Sequence, residues 1–188
     1  MLRNATPDLG PRLGNDDRAT LRHALTLNVA APRGHAVEFG VATGRTLRII
    51  RQYMHVTGFD SFRGLPEDWR PEFLTGCFAG PVPRVPGAEI VVGLFEDTLP
   101  HWTPPAPIGF VHIDCDLYSS TATVFTHIDR HLAPDCIIVF DEFHGYPGAE
   151  QHEQRAWREY LDRTGRKFDV IGHGREQYAV RLREISGA

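Results

Sequence analysis

Two apolar runs that each stop at carboxylates constrain this chain more than anything else in it. Val111-His112-Ile113 leads into Asp114-Cys115-Asp116-Leu117-Tyr118, and Ile137-Ile138-Val139-Phe140 leads into Asp141-Glu142-Phe143. Continuous apolar runs of this length mark strands buried on both faces, the condition of a parallel sheet. In open α/β sheets ligands bind outside the carboxyl ends of the strands. Asp114, Asp116, Asp141 and Glu142 are therefore expected to meet at a ligand-binding edge. Such a cluster suits a divalent cation, a general base, or both.

The rest of the chain alternates in the same manner. A helix is expected over 18–27, behind Asn15-Asp16-Asp17, and a strand over 34–39. A helix over 46–53 and a strand over 54–59, closing at Asp60, follow. Residues 61–87 are rich in proline, glycine and aromatics and read as a long loop, of a length that is usually functional or hides an element. A strand over 89–94 ends near Glu96-Asp97, and the segment 99–107, with four prolines, is a connector. Next come the strand to Ile113, a helix over 120–132, the strand 137–140 and a helix over 149–164. Strands over 168–171 and 177–182 close the chain. Five crossover strands and a terminal hairpin in 188 residues predict one α/β domain.

Composition narrows the function. The chain carries 24 acidic against 20 basic residues, a net charge of −4, with no clustered basic stripe, which argues against nucleic acid. No apolar run approaches a membrane helix, and residues 1–14 lack a signal-peptide core, so a cytoplasmic location is the default expectation. Cys77, Cys115 and Cys136 are odd in number and form no CxxC, which predicts reduced thiols. Lys167 is the only lysine, so almost no lysine is available as a base.

The first strand ends in Glu38-Phe39-Gly40-Val41-Ala42-Thr43-Gly44. Glycine lets such a turn tighten and lets a ligand approach the backbone. The GxxxG spacing is neither the GxGxxG of dinucleotide sites nor a P-loop. Alone it also describes an ordinary strand-to-helix turn. Asp60 adds to it, because an acid ending the second strand can accept both hydroxyls of a ribose. Glu96 and Asp97, at the third strand end, are placed to read an adenine edge. Three consecutive strand ends thus suit an adenosine-type cofactor.

Four motifs together carry a resemblance. Glu38-Phe39-Gly40-Val41 with Gly44, Phe59-Asp60-Ser61-Phe62-Arg63-Gly64-Leu65-Pro66, Phe95-Glu96-Asp97-Thr98-Leu99-Pro100 and Ile113-Asp114-Cys115-Asp116-Leu117-Tyr118-Ser119-Ser120-Thr121 run in order within residues 34–163. They resemble the macrocin O-methyltransferase family of class I S-adenosylmethionine-dependent methyltransferases. The resemblance implies a Rossmann-like seven-stranded sheet, mostly parallel, with an antiparallel last strand and helices on both faces. It implies a single methyltransferase domain over 1–188, with an N-terminal helical segment over 1–33 and an acceptor-site loop over 64–88. By the same resemblance Glu38, Phe39, Gly40, Val41, Thr43 and Gly44 lie about the methionine part of the cofactor. Asp60 holds the ribose, Ser61 and Phe62 flank the adenosine, Glu96 and Asp97 approach the adenine, and Asp114 borders the cofactor. Mg²⁺ is implied on Asp114, Asp141 and Glu142. The implied partner is a small-molecule acceptor of sugar or phenol type from natural-product pathways. No nucleic acid or membrane enters, and a homodimer is compatible.

Two departures accompany the resemblance. Glu142 stands where an aspartate is common, and the segment after Gly64 is short, with residues 69–86 in place of the usual helix. Methyl transfer from a sulfonium needs an aligned acceptor oxygen and a proton acceptor. Asp114 is the first choice as base, with Asp116 and His144 as rivals. Asp116 has a competing use as cap of the next helix, and His144 as the brace of a loop turn. Trp69, Phe73 and Phe78 either line a lid or pack the loop down. His127 and His131 share a helix face but lack a third ligand. Glu150, His152, Glu153 and Arg155 read as a solvated helix face. A metal-independent methyltransferase and a non-catalytic cofactor-binding scaffold are the rival readings. A nicotinamide dehydrogenase fits poorly, because the glycine spacing is wrong.

Overall fold

Seven strands lie side by side in one sheet: β1 (His35–Phe39), β2 (Val56–Asp60), β3 (Glu89–Val92), β4 (Ile108–Ile113), β5 (Leu132–Phe140), β6 (Phe168–His173) and β7 (Tyr178–Leu182). The computed structural model describes residues 7–16, 18–29 and 34–183. The strand order is β3-β2-β1-β4-β5-β7-β6. The first five strands run parallel, and β7 is antiparallel to β5 on one side and β6 on the other. This is the expected Rossmann-like sheet with one antiparallel strand.

Helices cover both faces: α1 (Ala19–Val29), α2 (Arg45–Arg51), α3 (Phe95–Thr98), α4 (Tyr118–Ile128) and α5 (Glu153–Thr164). Side chains alternate across a strand, so neighbouring residues feed two separate cores. Val37, Phe39, Val111, Ile113, Ile138 and Phe140 join α4 and α5. Ala36, Phe110, Ile137, Val139 and Ala179 join α1 and α2. The α4–α5 side is aromatic. Phe125 stacks on Tyr160 at 4.4 Å and meets Trp157 at 5.5 Å, and Phe140 meets Trp157 edge-on. Such ring pairs add about 0.5–1.5 kcal/mol each beyond their buried area.

Local chemistry explains where elements stop. Asp16 precedes the N-terminal helix, and its Oδ1 accepts from the Arg18 N–H at 3.2 Å. Asp17 of the expected cap, and residues 1–6 and 30–33 of the expected N-terminal segment, lie outside the described residues. The fourth helix ends at Ile128, short of the expected 132. A 3-10 turn over Asp129–His131 follows, and β5 starts at Leu132 rather than 137. Ala133 precedes a proline, which disfavours helical backbone there. The third strand stops at Val92. Gly93 turns away with φ +151°, its N–H bonded to Asp60 O at 3.0 Å. Glu96 and Asp97 therefore sit in the short helix α3, not at the strand end where they were expected. Among the described residues no helix is long and apolar enough to cross a membrane.

The order 3-2-1-4-5 reverses direction between β1 and β4. A sheet of this kind opens a crevice at the carboxyl ends of those two strands. The residues at that crevice are Gly40 and Asp114.

Candidate active site

The crevice opens into a cavity of about 820 Å³, walled on one side by the sheet edge and on the other by the loop 64–88. That volume suits a small-molecule site. Its floor is the turn after β1. Gly40 has φ +93°, and a Cβ there would lie 1.6 Å from the Asp114 carbonyl oxygen. The close approach of the two strand ends thus requires glycine at this position.

Asp60, ending β2, clasps that turn. Its Oδ2 accepts from the N–H groups of Val41 (2.9 Å) and Ala42 (2.7 Å), and its Oδ1 accepts from Phe62 (2.7 Å). Ala42 and Phe62 are held at φ +41° and +55°. Left-handed backbone outside glycine costs on the order of 1–3 kcal/mol and gathers at functional sites. Of the residues expected around a cofactor, Gly40, Asp60, Ser61, Glu96 and Asp114 line the cavity. Glu38, Phe39, Val41, Thr43, Gly44, Phe62 and Asp97 stand outside its lining. Phe39 is buried against Phe59 at 5.2 Å, and Gly44 caps α2. Glu38 is fully buried and pairs with His112 Nδ1 at 2.9 Å.

The carboxylates gather at the ends of β4 and β5. One oxygen each of Asp114, Asp116 and Glu142 lies within 4.8 Å of the others, the one such metal-capable group among the described residues. It shares Asp114 and Glu142 with the expected trio; Asp116 joins them, and Asp141 lines the same cavity. Asp141 continues β5, its N–H bonded to Ile113 O at 2.9 Å, and its Oδ1 stands 3.9 Å from His112 Nε2. Asp116 arrives by a left-handed turn at φ +64°. It does not cap α4, whose N-cap is Leu117 and which carries no side-chain cap bond. His127 and His131 gather no third ligand among the described residues.

Burial is the largest influence on all three acids. It raises Asp114 and Glu142 well above the usual carboxylate range, and the charge of Asp141 adds to both. Asp116 is pushed up to about 7, burial first, with a hydrogen bond to Glu142 opposing it and Asp141 adding to it. A cation would relieve this repulsion. Carboxylate oxygens are the ligands hard divalent ions prefer, and Glu142 Oε2 is buried with no hydrogen-bond partner. These residues therefore fit a divalent cation.

Glu153 departs from the sequence expectation. In place of a solvated position it is fully buried in the first turn of α5, and burial together with Asp116 and Asp141 raises its carboxyl. A signal for this exists in the sequence, since Glu153 shares a helical stripe with Ala156, Trp157 and Tyr160, all buried. Its polar neighbours Glu150 and Arg155 are exposed, as expected. His144 does not join the cluster. It stands outside the cavity lining, with Nε2 3.2 Å from Gln177 O and its ring 5.4 Å from that of His173. Burial lowers its pKa.

The outer wall is aromatic. Trp69 stacks on Phe73 at 5.3 Å, and Phe73 meets Phe78 at 5.2 Å. All three line the cavity. Arg70 lies between the rings of Trp69 (3.8 Å) and Tyr146 (3.6 Å), and its Nη2 pairs with Glu176 at 2.9 Å. Tyr146 in turn donates to the Glu142 carbonyl at 3.1 Å. The loop is thereby tied to the segment that bears the acids.

The family model described as "Methyltransferase domain" matches residues 37–143, more than half of the chain. No curated protein matches it. Among solved structures, a calicheamicin methyltransferase, CalS11, superimposes with a TM-score of 0.70 at 23% identity, over 86% of this chain and 77% of that one. The O-methyltransferase NovP gives 0.70 at 19% identity, over 87% and 78%. The O-methyltransferase TomG from Streptomyces achromogenes, solved with S-adenosylmethionine, gives 0.58 at 15% identity, over 87% and 78%. The chain belongs to the methyltransferase-domain family.

Proposed function

Starting from that family membership, we propose that this chain transfers a methyl group to a hydroxyl of a small-molecule acceptor, a natural-product sugar or phenol, with help from Mg²⁺. The observation that carries the reading is one continuous cavity. It begins at Gly40 and Asp60, where a nucleoside would bind, and ends at buried Asp116 with half-buried Asp114 and Glu142. The activities of the structural neighbours, an O-methyltransferase of tomaymycin synthesis and a TDP-rhamnose 3'-O-methyltransferase, support it. The motif resemblance extends the proposal to the macrocin-type subgroup.

When bound, S-adenosylmethionine supplies an electrophilic methyl group on a sulfonium. The protein's part is alignment and proton removal. Asp60 and Ser61 would hold the ribose, and Glu96 would face the adenine. Asp114 and Glu142, common to the expected and the observed acid sets, would hold the cation. Mg²⁺ there would supply positive charge that eases loss of a proton from a nearby hydroxyl. Asp116 would take that proton. It borders the cavity, and a carboxyl shifted to about 7 can accept and release a proton near neutrality. The Trp69–Phe73–Phe78 wall would face the acceptor and, with the loop, keep water out.

The test is calorimetry of S-adenosylhomocysteine binding with and without Mg²⁺, on wild type, Asp114→Ala and Asp116→Asn, followed by turnover on a panel of sugars and phenols. Expected are a Kd on the order of micromolar, a Mg²⁺ heat lost in Asp114→Ala, and turnover lowered roughly 10²–10⁴-fold in Asp116→Asn with cofactor affinity kept. Activity that survives EDTA would instead support metal-independent transfer, in which Asp116 acts alone. Cofactor binding without turnover on any acceptor would leave a scaffold.

A further inference from the structure

Gln177 is a buried amide in the cavity wall that the proposed chemistry leaves unused. It is 4% exposed, and its Oε1 is buried with no hydrogen-bond partner. A polar group sealed in protein without a partner is destabilising until something bonds it. Gly174 keeps the space around that oxygen open, since a Cβ there would lie 2.6 Å from Oε1. The same point lies 2.7 Å from Oγ1 of Thr20, a second buried oxygen with no partner. The backbone holds Gln177 beside the acids. Phe140 of β5 pairs with Tyr178 of β7, and the next residues outward are Asp141 and Gln177. Side chains alternate across a strand, so both turn away from the aromatic core of Phe140 and Tyr178. Both line the cavity. Beyond them Glu176 O accepts from the N–H groups of Phe143 at 2.9 Å and His144 at 3.2 Å, and Gln177 O accepts from the Gly174 N–H at 2.9 Å. A residue pinned in this way has little freedom to carry its amide to another partner.

We infer that Gln177 decides which acceptors the cavity takes, its side-chain oxygen receiving a hydrogen bond from a second hydroxyl of the acceptor, near the one that is methylated. The inference rests on the O-methyl-transfer reading and narrows its acceptors to molecules that carry this second hydroxyl. A site built around a buried polar group rejects the otherwise matching molecule that lacks the hydroxyl, because the group is then left unpaired. The amide is uncharged, so this selection does not depend on a cation being bound.

Turnover is measured on matched acceptors, catechol against phenol and methyl α-rhamnoside against its 2-deoxy analogue, with wild type and Gln177→Met, a variant of similar length and shape. S-adenosylhomocysteine affinity and melting temperature are measured alongside. Wild type is expected to prefer the member of a pair that carries the second hydroxyl. Gln177→Met should lower kcat/KM for that member roughly 10–100-fold and leave the other member little changed, with cofactor affinity and melting temperature kept. A variant that keeps the wild-type preference, or slows both members alike, overturns the inference, and a lower melting temperature would then assign Gln177 to packing against Thr20. Wild type that methylates both members equally well overturns it too. If Gln177→Met does not fold, Gln177→Leu decides in the same way. Wild type that binds S-adenosylhomocysteine but methylates none of the four refutes the transfer reading, and the inference falls with it.

Discussion

Gly40 is the residue on which the two halves of the site meet. Its φ of +93°, and the 1.6 Å that would separate a Cβ at this position from Asp114 O, leave no room for a side chain. Gly40→Ala is expected to lose at least about 2–3 kcal/mol of stability, read as a lower denaturation midpoint in urea. Cofactor affinity should fall with it, because the Asp60 clasp on Val41 and Ala42 hangs from the same turn. Asp116 and Glu153 show how far single residues can be read. The carboxylates ending β4 and β5 announce themselves by breaking apolar runs. Glu153 hides, because charged neighbours on its helix make it look solvated.

The loop 64–88 is held to the rest of the molecule in part through Arg70. Arg70 ties it there through the ring face of Tyr146 and through Glu176. Each cation–π contact is worth about 0.5–2 kcal/mol, more where water is excluded. Arg70→Ala should therefore free the loop, which limited proteolysis would register as faster cleavage within 64–88. With the Trp69–Phe73 wall no longer held against Tyr146, KM for the acceptor should rise several-fold, on the order of one to two such contacts, while affinity for S-adenosylhomocysteine stays near wild type. A change confined to cofactor binding would contradict this role for the loop. The short helix α3 teaches a related lesson. Its start is dictated by the Gly93 turn against Asp60, not by any helical periodicity.

Across the whole molecule the sheet is stitched by polar as well as apolar contacts. His35 Nε2 lies 2.8 Å from Thr57 Oγ1, which donates to Glu89 Oε2 at 3.1 Å, linking β1, β2 and β3. Burial lowers the pKa of His35 below its ordinary value of 6.5, outweighing the opposing charge of Glu89. The folded chain therefore binds this proton less readily than the unfolded one. Stability from His35 is complete above pH 6.5 and is lost as pH falls below it, through the lowered folded value. Denaturation midpoints measured from pH 7 downward should fall less steeply in His35→Gln than in wild type. Equal slopes would show that His35 is already solvated.

Strand identity, the mostly parallel α/β sheet and the gathering of acids at one sheet edge were all legible beforehand, because each depends on neighbours in the chain. Buried parallel strands must be continuously apolar, and Ile113 and Phe140 mark their ends as plainly as Asp114 and Asp141 do. What required the folded molecule was the membership of the acid cluster. Asp116 enters it through one left-handed residue, and Glu153 is pressed in by the docking of α5. Those choices follow from distances between segments far apart in the chain, which no local pattern of residue types records.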